Sequence, residues 1–125
     1  MIRFIHCMKK RPELTTAEFR EFWNSQEFTD LVNRMAEVTG AISIIKNLTF
    51  KIDLNTTLME ERGSEEPYDG ILEVWLENAS DLEKIQAGGD GEKLRSEMDS
   101  FQEKFVDFSA SKRFFTEWTP VSGLG

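Results

Sequence analysis

The stretch Leu14-Thr15-Thr16-Ala17-Glu18-Phe19-Arg20-Glu21-Phe22-Trp23 decides the fold, because a first strand has ended before it and the longest helix starts in it. Thr15 is a sound N-cap: its hydroxyl can accept from a free backbone N–H of the first turn. Glu18, three residues on, can reach back to the N–H of Thr15, which makes a capping box. Leu14 before the cap and Phe19 at the fourth helical position have the spacing of a hydrophobic staple. Pro12 has no N–H to give a strand ladder, so the strand is over by that point. Phe19, Phe22 and Trp23 recur at i, i+3 and i+4 and therefore share one helix face. That face reads as core packed on a sheet, with a ligand-lining aromatic box as the alternative.

Working outward, Ile2 to Met8 is apolar on both alternating faces, with Ile2, Phe4, His6 and Met8 on one and Ile5 and Cys7 on the other. Such a strand is normally central and covered on both sides. Lys9-Lys10-Arg11 reads as a solvated turn. The helix is predicted from about Thr16 to about Glu37, continuing through Leu31, Val32, Met35 and Ala36. Ser25-Gln26-Glu27 is a weaker stretch that allows a kink or a break, and Gly40 is the stop. From Ala41 to Leu54 apolar and polar residues alternate, with Lys46 the exception, which predicts one long strand with a wet side. Residues 55–67 lack a hydrophobic period and carry Glu60, Glu61, Glu65 and Glu66, which reads as a loop, either solvated or a lid over a pocket.

Asp69 to Glu77 is the next strand, with Leu72, Val74 and Leu76 on one face and Ile71, Glu73 and Trp75 on the other. Ser80 opens a second helix with Glu83 at the capping-box position. Gly88-Gly89-Asp90-Gly91 breaks it and lacks the Gly-Lys-Ser/Thr ending of a phosphate loop. Asp90 can cap a third helix in which Leu94, Met98, Phe101 and Phe105 repeat on one face, and Ser109 to Glu117 is the last strand. The order is the ferredoxin-like β-α-β-β-α-β plan of the α+β class, an antiparallel sheet with helices on one face.

The chain has 125 residues, which suits a single domain over 1–125, and one cysteine, which excludes an internal disulfide and a cysteine metal cluster. The formal charge of −8 argues against nucleic-acid binding through a basic surface. No segment reaches the roughly 18 apolar residues of a membrane span. The start, Met1-Ile2-Arg3-Phe4-Ile5, enters a strand directly without a basic-then-apolar signal, so a cytoplasmic protein is expected.

Lys10-Arg11-Pro12-Glu13-Leu14-Thr15-Thr16-Ala17-Glu18-Phe19-Arg20-Glu21-Phe22-Trp23 resembles the opening signature of the EthD family, the small proteins named for ether degradation. Phe105 to Ser109 and Phe114 to Glu117 are similar to that family's C-terminal strand. The resemblance implies a dimeric α/β barrel, in which two ferredoxin-like sheets pack open face to open face around a cavity. The wider superfamily includes cofactor-free monooxygenases, muconolactone isomerase-like proteins and polyketide cyclases. Many members carry a His four residues after the Trp, a position that is Glu27 in this chain.

His6, the sole histidine, is the natural acid/base group at neutral pH. It looks into the cavity if the Ile5/Cys7 face packs on the helices; otherwise it is a half-buried structural histidine. Glu73 points into the barrel if Leu72, Val74 and Leu76 face the helices, where it could shuttle a proton or orient His6; a solvent-facing or salt-bridged Glu is the plain alternative. Phe4, Met8, Trp23, Ile71, Trp75 and Arg113 are the expected ligand-lining residues. No metal site and no cofactor are expected, since one His and one Cys do not make a usual ligand set. Three functions fit: a cofactor-free cyclase, dehydratase or isomerase on a small apolar or aromatic metabolite; a non-catalytic binding or accessory protein; and a cofactor-free monooxygenase. All three expect a homodimer with itself as partner, and no nucleic acid or membrane.

Overall fold

The computed structural model describes residues 1–80 and 90–123. In chain order the elements are β1 (Ile2–Met8), α1 (Thr16–Trp23), α2 (Gln26–Thr39), β2 (Ser43–Leu48), α3 (Asp53–Arg62), β3 (Gly70–Leu76), α4 (Asp90–Gln102), a short 3-10 turn (Phe108–Ala110) and β4 (Lys112–Glu117). The four strands form one antiparallel sheet in the order β2-β3-β1-β4. This is the ferredoxin-like α+β plan. The helix expected from Ser80 with Glu83 lies outside the described residues.

The helix start is built as its sequence predicts. Thr15 Oγ1 accepts from Glu18 N–H at 3.1 Å and Glu18 Oε1 accepts from Thr15 N–H at 2.9 Å. Leu14 and Phe19 both belong to the apolar cluster under the sheet. The expected long helix is two helices. Ser25 ends α1 by bonding Phe22 O and starts α2 by accepting from Phe28 N–H, so one hydroxyl serves both. Gly40 closes α2 in the left-handed region, φ 68°.

Two further expectations change. The strand predicted over 41–54 pairs only from Ser43 to Leu48, and the supposed loop after it contains α3. That helix has neither signal that sequence reading uses: Ile52 at its cap offers no side-chain hydrogen bond, and none of its residues is buried. The basic turn is a latch rather than a solvated run. Lys10 N–H donates to buried Asp69, Lys10 Nζ to Leu14 O and Lys9 Nζ to Pro67 O.

Antiparallel register places side chains of directly paired residues on one side. Phe4 pairs Val74 and Phe115, and His6 pairs Leu72 and Arg113. Leu72, Val74 and Leu76 are buried under the helices, so Phe4, His6 and Met8 face the helices too. Lys46, the exception in β2, also lies on this side, and its ammonium donates to Trp23 O at 2.9 Å, satisfying a carbonyl at the α1 C-terminus. The opposite, open face carries Arg3, Ile5, Cys7, Ile45, Ile71, Glu73, Trp75 and Phe114.

Trp23 is 2% exposed, stacked on Phe19 with ring centroids 5.7 Å apart, and lies against the backbone of β3. A Cβ added at Gly70 would meet its ring at 2.6 Å. Gly70→Ala is therefore expected to destabilise by about 1–3 kcal/mol, the usual range for overpacking. Combining it with Trp23→Phe should recover part of that loss, so the two penalties in urea unfolding should sum to more than the double variant's. Additive penalties would contradict this contact.

Candidate functional site

A cleft lies between the helix side of the sheet and helices α2 and α4. Its floor is two rows of paired residues, Val74-Phe4-Phe115 and Leu72-His6-Arg113. Met35, Val38 and Thr39 of α2 and Leu94, Met98 and Gln102 of α4 close the other side. Its volume is about 250 Å³, and a second space of about 240 Å³ adjoins it, lined by His6, Asp99, Gln102, Phe108, Ser111 and Arg113. The sequence pattern supplies this shape. Leu94 and Met98 fall on the predicted apolar face of α4, and Met35 continues the stripe of α2.

His6 is 5% exposed, and its ring lies 6.3 Å from that of Phe4. Burial, helped by the Arg113 guanidinium on the neighbouring strand, lowers its pKa from 6.5 to about 4. The imidazole is therefore neutral at pH 7, an acceptor or base rather than a proton donor of acid strength. Gln102 is 3% exposed. Among the described residues neither side chain has a hydrogen-bond partner, and both line the cleft.

The expected site residues separate into three groups. His6, Phe4 and Arg113 come together in the cleft. Met8, fully buried, and Trp23 are core residues packed with Phe19 and Phe28, not ligand-lining ones. Glu73, Ile71 and Trp75 sit on the open face, so Glu73 lies across the sheet from His6 and cannot orient it. The Glu73 carboxylate is held by Asn47 Nδ2 at 2.7 Å, Trp75 Nε1 at 3.2 Å and Arg3 Nη1 at 3.4 Å. The physical reason for the correction is parity: in β1 the Ile5/Cys7 side, not the Phe4/His6 side, faces away from the helices. No residue of 55–67 lines the cleft, so that segment is not its lid. Gln102, Thr39, Val38 and Met98 were missed as site residues. Met98 and Leu94 carried a signal, their helical spacing, but that spacing also describes plain core. Among the described residues no three His, Cys, Asp or Glu side chains gather as a metal site requires. No described helix is long and apolar enough to cross a membrane.

Fold and cleft define a ferredoxin-like α+β protein with a pocket under its sheet, and comparison with known proteins narrows this. The EthD domain matches residues 11–109, and the chain belongs to the EthD family. No curated protein matches it. Among solved structures it is similar to a dimeric protein of unknown function and ferredoxin-like fold from Bacteroides fragilis, with a TM-score of 0.60, 11% identity, and 94% of this chain and 95% of that one covered. It is also similar to an ethyl tert-butyl ether-degradation (EthD) family protein from Bacillus halodurans, with a TM-score of 0.58, 13% identity, and 95% and 99% covered. A dimeric ferredoxin-like protein of unknown function from Thermobifida fusca has a TM-score of 0.58, 12% identity, and 94% and 90% covered.

Because unfolded His6 takes a proton near pH 6.5 and folded His6 only near 4, the unfolded chain binds the extra proton between these values. Stability is fully present above pH 6.5 and falls as pH drops to 4. The loss assigned to His6 is about 3 kcal/mol, at ~1.4 kcal/mol per pKa unit. His6→Asn should cut the stability difference between about pH 7 and pH 3.5 by this amount in urea unfolding. An unchanged difference would mean a solvated imidazole.

Proposed function

We propose that this EthD-family chain is a small-molecule binding protein that works as a homodimer and holds an apolar or aromatic ligand in the cleft under its sheet. The observation that carries the reading is the pairing of apolar walls with His6 and Gln102, two buried polar side chains left without partners. Their polar atoms open onto the cleft, where a ligand can take up the hydrogen bonds that no neighbouring side chain makes. The two adjoining spaces, about 250 and 240 Å³, lie toward the small end of the roughly 300–1,000 Å³ usual for drug-sized ligands, which favours a small molecule.

The dimer is supported by the open face. Ile5, Ile45, Ile71 and Trp75 are only half-buried there, and Phe114 is 45% exposed. Arg3 Nε and Trp118 Nε1 are buried on the same side with no acceptor, a need that a second copy's polar atoms can meet. Two-fold pairing, open face to open face, covers this patch on both chains at once. The dimeric structures from Bacteroides fragilis and Thermobifida fusca add weight at the level of fold.

A second reading, catalysis, rests on the unpartnered neutral imidazole. His6 would then act as a general base on a bound acidic O–H or C–H, as in a cofactor-free cyclase, dehydratase or isomerase. Glu73 has no part in it, because it lies on the other face. A monooxygenase would use the same cavity and is distinguished by oxygen consumption.

Sedimentation at micromolar concentration should give a dimer, and Phe114→Glu should give a monomer; a wild-type monomer would remove the paired-sheet assembly. Titration with 1-naphthol, followed by its fluorescence, should show binding that Leu94→Trp weakens about tenfold or more by filling the cleft. Equal affinity in the Leu94 variant would place the probe elsewhere and end the cleft reading.

A further inference from the structure

The cleft is chemically two-sided. Its inner part is apolar, with Met35, Val38, Val74, Leu94, Met98 and Phe115. Its mouth is polar, and His6, Asp99, Gln102 and Arg113 line both parts. Some polar groups here are already satisfied. Thr39 Oγ1 donates to Met35 O at 2.7 Å. Ser111 Oγ donates to Asp107 O at 2.7 Å and accepts from Lys9 N–H at 2.9 Å. The side chains of His6, Gln102, Arg113 and Asp99 make no hydrogen bond or ion pair among the described residues.

We propose, resting on the ligand-binding reading above, that the cleft selects an amphipathic acid, with a ring or short chain in the inner part and a carboxylate at the mouth on Arg113 and Gln102 beside His6. Among the described residues no carboxylate pairs with the Arg113 guanidinium, which leaves it open to an anion. Its planar fork matches a carboxylate with two parallel N–H donors, which a hydroxyl cannot use equally. Gln102 offers an amide N–H within the same lining, and the neutral His6 ring can donate one ring N–H. Asp99 opposes an anion at this place. Asp99 is exposed, as Arg113 is, and of the two the charge whose effect reaches the His6 ring is that of Arg113. A neutral apolar ligand would leave the guanidinium, the amide and the imidazole without partners.

The test compares 4-propylbenzoate with 4-propylbenzyl alcohol, which share a body and differ in the head group, at pH 7 on the full chain. The readout is NMR of protein labelled at its methionine methyl groups. Met35 and Met98 line the cleft, whereas Met59 on α3 does not and serves as the control. Titration should move the Met35 and Met98 signals, with the acid binding about tenfold tighter than the alcohol, a preference that Arg113→Gln removes. Asp99→Asn should tighten the acid and leave the alcohol unchanged. Equal affinity of the two probes at these methyl groups would overturn the acid proposal while the cleft reading stands. So would an acid preference that survives Arg113→Gln. Silence of Met35 and Met98 toward both probes at millimolar concentration would overturn the acid proposal and the cleft reading together.

Discussion

Everything in this structure follows from the side on which β1 turns its even-numbered residues. Side chains alternate along a strand, so a single choice commits Phe4, His6 and Met8 together. The choice is enforced from outside β1. Leu72, Val74 and Leu76 of β3 have only the helices to cover them, and antiparallel pairing sets His6 beside Leu72 and Phe4 beside Val74. The histidine is thereby placed under the helices, and the arginine of β4 comes with it because Arg113 is its partner on the other side. A one-residue slip would exchange the whole cleft for the open face.

How much of this could be read from the chain depended on whether each residue's pattern had one meaning. Thr15 and Glu18 could only be a cap, and they are one. Leu72, Val74 and Leu76 against Ile71, Glu73 and Trp75 gave a face assignment that holds. The alternation of β1 had two meanings, since Ile5 and Cys7 are as apolar as Phe4 and Met8, and only the long-range pairing separates them. The expectation that His6 and Glu73 share a cavity failed for that reason. Each was oriented by its own strand, and the two orientations are incompatible with direct neighbours on one sheet. Helix α3 was hidden for a different cause. It buries none of its residues, so the fold requires no apolar stripe on it. The alternation before it ran on to Leu54 without a structural counterpart. Gly63, which closes α3 at φ 62°, was the one local sign of a helix end.

The site was half legible for a related reason. Residues of a helix that line a cleft and those that fill a core share the same spacing, so Met98 and Leu94 could not announce themselves. Gln102 gave no signal in sequence at all. Its meaning comes from being buried opposite a histidine that also lacks a partner, a fact of the packing rather than of any motif. The EthD family supplies the frame, a sheet with helices on one side. In this chain a neutral imidazole, a buried amide and an unpaired guanidinium gather at one end of an apolar cleft between sheet and helices.

The cluster on the open face also has a bearing on the chain's ends. The Arg3 guanidinium stands 3.9 Å from the centre of the Trp75 ring and 4.6 Å from that of Trp118, and the Trp118 amide reaches the Met1 carbonyl at 3.4 Å. The polypeptide thus enters and leaves the sheet at one corner, clamped by a cation between two indoles. Residues 1 and 118 both lie at the rim of the same face. A fused domain placed directly before residue 1 would crowd that face. An internal attachment point, such as the Gly63 turn beyond α3, leaves that corner clear.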